Sequence, residues 1–228
     1  QNIKTTSSPE YLIISYDDFF QQALKLADFR RSHNGYNVEV AKTSQIFNEF
    51  GSGRADVSAI RNYIRYYYKR NPGKLKYVLM LGAASYDYKD RVANNTNLVP
   101  VYESRNSLHP VFTYASDDFY GFMNEEEGIW EEEFNNTDAI DVGIGRIPAK
   151  TAQEATGAVN KIIHYETNPH TFNKWRNDLY FIADDEDGNI FHRDSEVLSE
   201  YVIDNFGFYN INKLYLGAFE QEIFASTQ

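Results

Sequence analysis

Tyr77-Val-Leu-Met-Leu81 places five apolar residues in a row without one polar side chain. A strand with one face in water alternates polar and apolar residues. An unbroken run belongs to a strand covered on both faces, which means a parallel sheet layered between helices. This run sets the fold class, and the neighbouring pattern agrees with it. Tyr11–Ser15 is another short apolar run that ends in a polar residue, and Tyr36–Ala41 alternates Val38 and Val40 with polar neighbours. Between them, Phe20, Leu24 and Ala27 share one face of a helix over Asp17–His33, which Asn34-Gly35 stops. Val57, Ile60, Ile64 and Tyr67 mark a further helix, closed by Asn71-Pro72-Gly73.

From Ala83 to Asn136 the pattern loosens. Strand pieces are expected at Leu98–Tyr102 and Phe119–Met123, between loops longer than a bare strand–helix unit requires. Regularity returns with a strand at Ile140–Ile144 and a capping box, Thr151-Ala152-Gln153-Glu154, that opens a helix running to about Glu166. Leu179–Ala183 and Ile211–Leu216 read as two more strands around a helix carrying Val197, Leu198, Tyr201 and Val202. Such alternation gives mostly parallel sheets with helices on both faces and right-handed crossovers. The polar junction Thr167–Asn177 separates two subdomains. The first covers residues 1–172, with an irregular excursion over about 83–138; the second covers 173–228 and is expected to be incomplete.

Composition excludes several function classes. The 228 residues carry a formal net charge of −11, whereas binding to phosphate backbones needs a basic surface, so nucleic acid is not a partner. With 42% hydrophobic and 16% aromatic residues the chain is not disordered. No apolar run approaches the ~20 residues of a membrane-spanning helix. There is no Cys, which rules out disulfides, thiolate metal sites and a thiol nucleophile within these residues. Gln1–Glu10 shows no signal-peptide pattern and no initiator Met, so the chain is expected to be a piece of a longer protein.

Ligands of open parallel sheets gather at the carboxyl ends of strands. That rule singles out Asp17-Asp18, Ala83-Ala84-Ser85, Asp117-Asp118 and Asp184-Asp185-Glu186-Asp187-Gly188. Asp17 and Asp18 suit a first helical turn, where carboxylates meet the positive end of the macrodipole. The consecutive carboxylates after Ala183 repel one another unless solvated or shared with a cation. From the residues alone they form either a solvated turn or a site that orients a histidine, binds a cation or accepts a phosphoryl group. Glu125–Glu127 and Glu131–Glu133, around Gly128, read as a solvated hairpin tip. Of His33, His109, His164, His170 and His192, none forms a metal-binding i, i+4 pair, and only His192 falls near a strand end.

Five segments together carry a resemblance. They are Tyr77-Val-Leu-Met-Leu-Gly82, Ser116-Asp-Asp-Phe-Tyr-Gly121, Asp141-Val-Gly-Ile-Gly-Arg-Ile147, Ile163-His-Tyr-Glu-Thr-Asn168 and Phe181-Ile-Ala-Asp-Asp-Glu-Asp-Gly188. They stand in the order seen in gingipain-family cysteine peptidases, over about Leu12 to Leu216. The resemblance implies a caspase-like α/β fold of two subdomains, polypeptide substrates, and residence outside the cell or on the outer-membrane surface of a Bacteroidota-type Gram-negative bacterium. Ile147-Pro-Ala-Lys150 and the Asp-Asp-Glu-Asp-Gly loop look like the branch that acts as signal peptidase and sortase of the type IX secretion system. That branch removes C-terminal sorting domains from exported proteins and joins the new ends to anionic lipopolysaccharide. The chemistry implied is acyl transfer through a thioester.

In the family a His-Gly pair and a later Cys follow the strand that here is Lys213–Leu216. Those residues, with the remaining part of the catalytic domain, are expected beyond Gln228, and the present residues alone are expected to be inactive. The carboxylate that supports the catalytic His in the family matches Glu186. Basic-specific members place an Asp near the start of the next helix; the comparable stretch here, Phe191-His192-Arg193-Asp194, makes His192 and Asp194 the candidate substrate-binding residues. The resemblance also implies structural calcium near the Ile-Gly-Arg strand, with Asp138, Asp141 and Asp117 as candidate oxygen ligands. Ala83 stands where such sites use another carboxylate, so weak binding is expected. Two other readings stay open: a non-catalytic binding domain, and a Mg²⁺-dependent receiver-like phosphoacceptor domain built on Asp17-Asp18 and Asp184-Asp185.

Overall fold

The computed structural model describes residues 3–104, 108–109, 113–125, 127–128 and 139–220. Their contacts divide the chain into two compact units, Gln1–Glu166 and Thr167–Gln228.

The first unit begins with β1 (Tyr11–Ser15), α1 (Phe20–Asn34), β2 (Val38–Lys42), α2 (Thr43–Phe50), α3 (Val57–Arg70) and β3 (Tyr77–Leu81). After an irregular stretch come the two-residue strands β4 (Tyr102–Glu103) and β5 (Ala115–Ser116), which pair antiparallel, then β6 (Gly143–Ile147) and α4 (Ala152–Thr167). The main sheet runs β2-β1-β3-β6 and every pairing in it is parallel. Side chains of β1 alternate between two cores, as a strand buried on both faces requires. Leu12 and Ile14 join Ile46 of α2 and Ile60, Tyr63, Ile64 and Tyr67 of α3, with Val78 and Met80 of β3. Ile13 joins Ala23, Leu26 and Ala27 of α1, Ala155 and Val159 of α4, and Leu81. Each fully buried Leu or Ile contributes about 1.5–3 kcal/mol relative to exposure. The two-sided sheet is therefore the main source of stability in this unit.

Of the capping box expected at the start of α4, the Thr151 half forms as read, and the Glu154 half closes one residue earlier, on Lys150. Thr151 Oγ1 accepts the Glu154 N–H at 3.1 Å, while the Glu154 carboxylate turns back to the Lys150 N–H at 2.7 Å. Elsewhere the structure corrects the reading. Phe119–Met123 is not a strand: Asp118–Gly121 forms a 3-10 turn, set by Ser116 Oγ accepting the Asp118 N–H at 3.1 Å. That turn buries Phe119, Tyr120 and Met123 together. The Leu98–Tyr102 strand shrinks to Tyr102–Glu103, because the Leu98 and Val99 N–H groups both donate to the Ala83 carbonyl. β6 starts at Gly143 instead of Ile140.

The second unit is a β–α–β element: β7 (Asp178–Ala183), α5 (Ile190–Asn205) and β8 (Asn210–Tyr215), with β7 and β8 parallel and in register from Asp178↔Asn210 to Ala183↔Tyr215. Lys213 and Glu196 tie β8 to α5 at 2.6 Å, and Asn210 Nδ2 donates to Asp178 Oδ1 at 2.8 Å across the strand starts. Tyr180 and Ile182, on alternate positions of β7, are 60% and 69% exposed.

Candidate functional site

The strand ends of the first unit are occupied by the chain itself. β1 and β3 are the neighbours between which the strand order reverses, the usual place for a ligand crevice. Here segment 98–100 lies over it: Val99 is fully buried, and a Cβ added at Gly82 would stand 2.8 Å from Val99 Cγ2. Gly82, with φ +148°, is the residue that lets the chain pass this close. Arg146, at the end of β6, locks the arrangement. Its Nε and Nη2 donate to the two carboxylate oxygens of Asp117 at 2.8 and 2.6 Å, and the rest of its fork reaches the carbonyls of Gly82, Val99 and Pro100 at 2.7–3.2 Å. Asp17 serves the scaffold too. Its carboxylate accepts the Ser44 N–H at 3.1 Å and the Ser44 and Thr43 hydroxyls, closing the start of α2 across the turn. This use of Asp17 leaves the Mg²⁺ reading without geometric support.

Past Ser85 the buried Asp87 organises the next loop. Its carboxylate accepts the backbone N–H groups of Lys89 and Val92 at 3.2 and 2.6 Å, and that of Arg91. These bonds to the charged form hold its pKa below the ordinary carboxylate value.

The second unit differs. Where β7 and β8 end, a hollow of about 360 Å³ opens. Asp184 and Asp185 enter it from the end of β7, Asn189 and His192 from the start of α5, Tyr215 from the end of β8 and Gly217 from just beyond. The His192 and Tyr215 rings meet edge to face at 4.4 Å between centroids. Asp187, Gly188 and Asn189 all have positive φ (50°, 65° and 62°), so the loop bends sharply out of β7 before α5 begins. Two carboxylates, an imidazole and an amide can hold a hydrogen-bonding or cationic part of a ligand and orient a second imidazole. No thiol is present, since the 228 residues contain no Cys.

The structure thus brings His192 together with Asp184 and Asp185. Glu186 sits at the crest of the same loop, exposed and outside the lining; Asp194 is exposed on α5, also outside it. Tyr215, Asn189 and Gly217 gave no signal in the sequence. For calcium, Asp138 lies outside the described residues. Asp117 is engaged by Arg146, and Asp141 accepts the Tyr68 hydroxyl and the Met123 N–H, both at 3.0 Å. Among the described residues no group of three or more His, Asp or Glu side chains could hold a metal ion. The placed carboxylates therefore do not make a calcium cage by themselves. Among the described residues, no helix is long and apolar enough to cross a membrane.

Comparison with known proteins follows the geometry. No curated protein matches the chain. Dimeric latent PorU from Porphyromonas gingivalis is 26% identical, with a TM-score of 0.63, over 75% of this chain and 17% of that one. The Arg-specific cysteine proteinase gingipain R (RgpB) is 18% identical, with a TM-score of 0.66, over 94% of this chain and 43% of that one. The complex of RgpB pro- and mature domains from Porphyromonas gingivalis gives 20% identity and a TM-score of 0.63 over 90% of this chain and 42% of that one. The chain therefore spans less than half the length of each, and at such identities the two gingipain structures establish the caspase-like α/β fold. The model of peptidase family C25 matches residues 4–228, and the chain belongs to that family, the gingipain-type cysteine peptidases.

Proposed function

We propose that these residues form the front part of the catalytic domain of a C25 endopeptidase that acts as signal peptidase and sortase on the C-terminal sorting domains of secreted proteins. The hollow at the ends of β7 and β8 carries this reading, because it is the strand end that the chain's own groups leave open. The likeness to PorU and the Asp-Asp-Glu-Asp-Gly loop support the sortase branch over a digestive peptidase. Residence outside the cell or on the outer-membrane surface belongs to the same proposal.

The chemistry is acyl transfer. A thiolate attacks the scissile carbonyl, the amine leaves with a proton, and water or a second amine releases the acyl group from the thioester. With no Cys among the 228 residues, that thiol comes from residues outside them. In this scheme His192 contacts the substrate from the wall of the hollow, and Asp194 lies at its approach on α5. Glu186 acts through an imidazole supplied from outside, holding its tautomer and stabilising its charged form.

In the parent protein, Glu186→Gln should leave the melting temperature unchanged and lower peptide turnover by about 10²–10⁴-fold. Unchanged turnover would remove Glu186 from the mechanism. A parent that binds sorting-domain peptides tightly and never cleaves them would establish instead the non-catalytic binding domain, a reading that the absence of Cys keeps in play.

A further inference from the structure

The outer face of α3 carries a feature unrelated to any strand end. Arg65, Lys69 and Arg70 line a shallow furrow of about 510 Å³ together with Asn62, Tyr66 and Glu125. Among the described residues that line it, three cations face a single carboxylate, in a protein whose net charge is −11. We propose that this furrow is a recognition site for an acidic polypeptide segment, with Glu125 as the chain's own stand-in for the ligand.

The occupant already present argues for the class of ligand. Glu125 is a carboxylate presented by a polypeptide backbone, and it lies 2.7 Å from Lys69 Nζ and 3.8 Å from Arg65 Nη2. Its side chain is 79% exposed, so little besides these charges holds it there, and a competing carboxylate can replace it. Two of the three cations are better fixed than their occupant. The Arg65 side chain is only 18% exposed, and its buried Nε has no acceptor among the described residues. Arg70 lies over the Tyr66 ring at 5.6 Å and donates to the Tyr66 hydroxyl at 2.7 Å, which holds its guanidinium plane. Arg65 and Lys69 are one helical turn apart, about 6 Å along the axis. Alternate side chains on one side of an extended peptide are spaced by about 6.5 Å, so two acidic residues at i and i+2 can meet both cations. Asn62, at the end of the furrow, offers an amide donor and acceptor to the peptide main chain. The site depends on no cysteine and is independent of the catalytic reading.

The test uses fluorescence anisotropy with a labelled peptide of alternating Glu and Ser, and a control in which every Glu is Gln. The acidic peptide should bind and the control should not. Arg65→Ser/Lys69→Ser/Arg70→Ser should weaken binding about tenfold, as three solvent-screened charge contacts acting together imply. Glu125→Ala should strengthen it a few-fold by removing the internal competitor, and a thermal melt should show both variants folded. Equal binding of acidic and neutral peptides, or an unchanged affinity in the triple variant, would overturn the proposal. So would polyphosphate displacing the peptide at lower concentration than free glutamate peptide does, since that marks a general polyanion patch.

Discussion

The two units end their parallel strands in opposite ways. In the first, the crevice between β1 and β3 is filled by Val99, and Arg146, held by Asp117, donates to the carbonyls around it. In the second, β7 and β8 open onto carboxylates that repel one another and have no guanidinium among the residues lining the hollow. Both sheets gather polar groups at the carboxyl ends of parallel strands, although only the first has a reversal of strand order there. What decides between scaffold and site is whether the chain fills the space at the strand ends with its own side chains. A filled strand end leaves a ligand no room; a hollow one can take it.

The sharpest way to break this contrast is Asp117→Ala. It strands the Arg146 guanidinium, whose side chain is 12% exposed, without its counter-charge. Removing one member of such a pair should cost about 3–5 kcal/mol, read by urea unfolding. A loss under about 1 kcal/mol would mean that the filled end is not what holds the first unit together.

Acid should test the same unit more gently. The Asp87 pKa is lowered in the folded state by its backbone donors, so its stabilisation is complete above the ordinary value of 3.8 and fades as pH falls through the lower folded value. Asp87→Asn should therefore lower stability at neutral pH and approach the parent protein in the most acidic solutions. Parallel acid curves for the two proteins would contradict the assignment.

The open end should respond differently. Asp184→Asn should change stability by no more than about 0.5 kcal/mol, because the carboxylate is exposed and no described residue is bonded to it, while altering peptide affinity in the parent protein. A large destabilisation would turn the hollow into scaffold. Smallest of all should be the response to metal. EDTA against millimolar Ca²⁺ should move the melt by no more than about 2 °C, since Asp117 and Asp141 already serve protein donors. A larger shift would establish a calcium site, with Asp138 the first residue to mutate.

Much of the scaffold was legible because burial leaves a plain mark. Tyr77–Leu81 and Tyr11–Ser15 have the bounds expected of them, since a strand covered on both faces is marked by a run of apolar residues. α2 escaped because Thr43–Phe50 follows β2 with no Gly or Pro between them, and eight residues give too few turns for a period to show. β6 was misplaced because Gly143 and Gly145 carry no side chain to alternate. The candidate site was half legible. The rule of strand ends found Asp184 and His192, but Tyr215 and Gly217 arrive from a different strand some thirty residues later, which only the pairing of β7 with β8 brings alongside. The α3 furrow shows the same limit: Arg65 and Lys69 have helical spacing, whereas Glu125 reaches them through the fold alone.

The bend from β7 into α5 has a consequence for how fast a ligand can be captured. Left-handed backbone costs most residues with a side chain roughly 1–2 kcal/mol and Asp or Asn less, and Asp187 and Asn189 both adopt it on either side of Gly188. That cost is met when the loop folds, before anything enters the hollow. A partner reaching Asn189 and His192 then needs no loop rearrangement on arrival, so the encounter can proceed at the speed of diffusion and orientation, and discrimination between partners falls to how long each one stays.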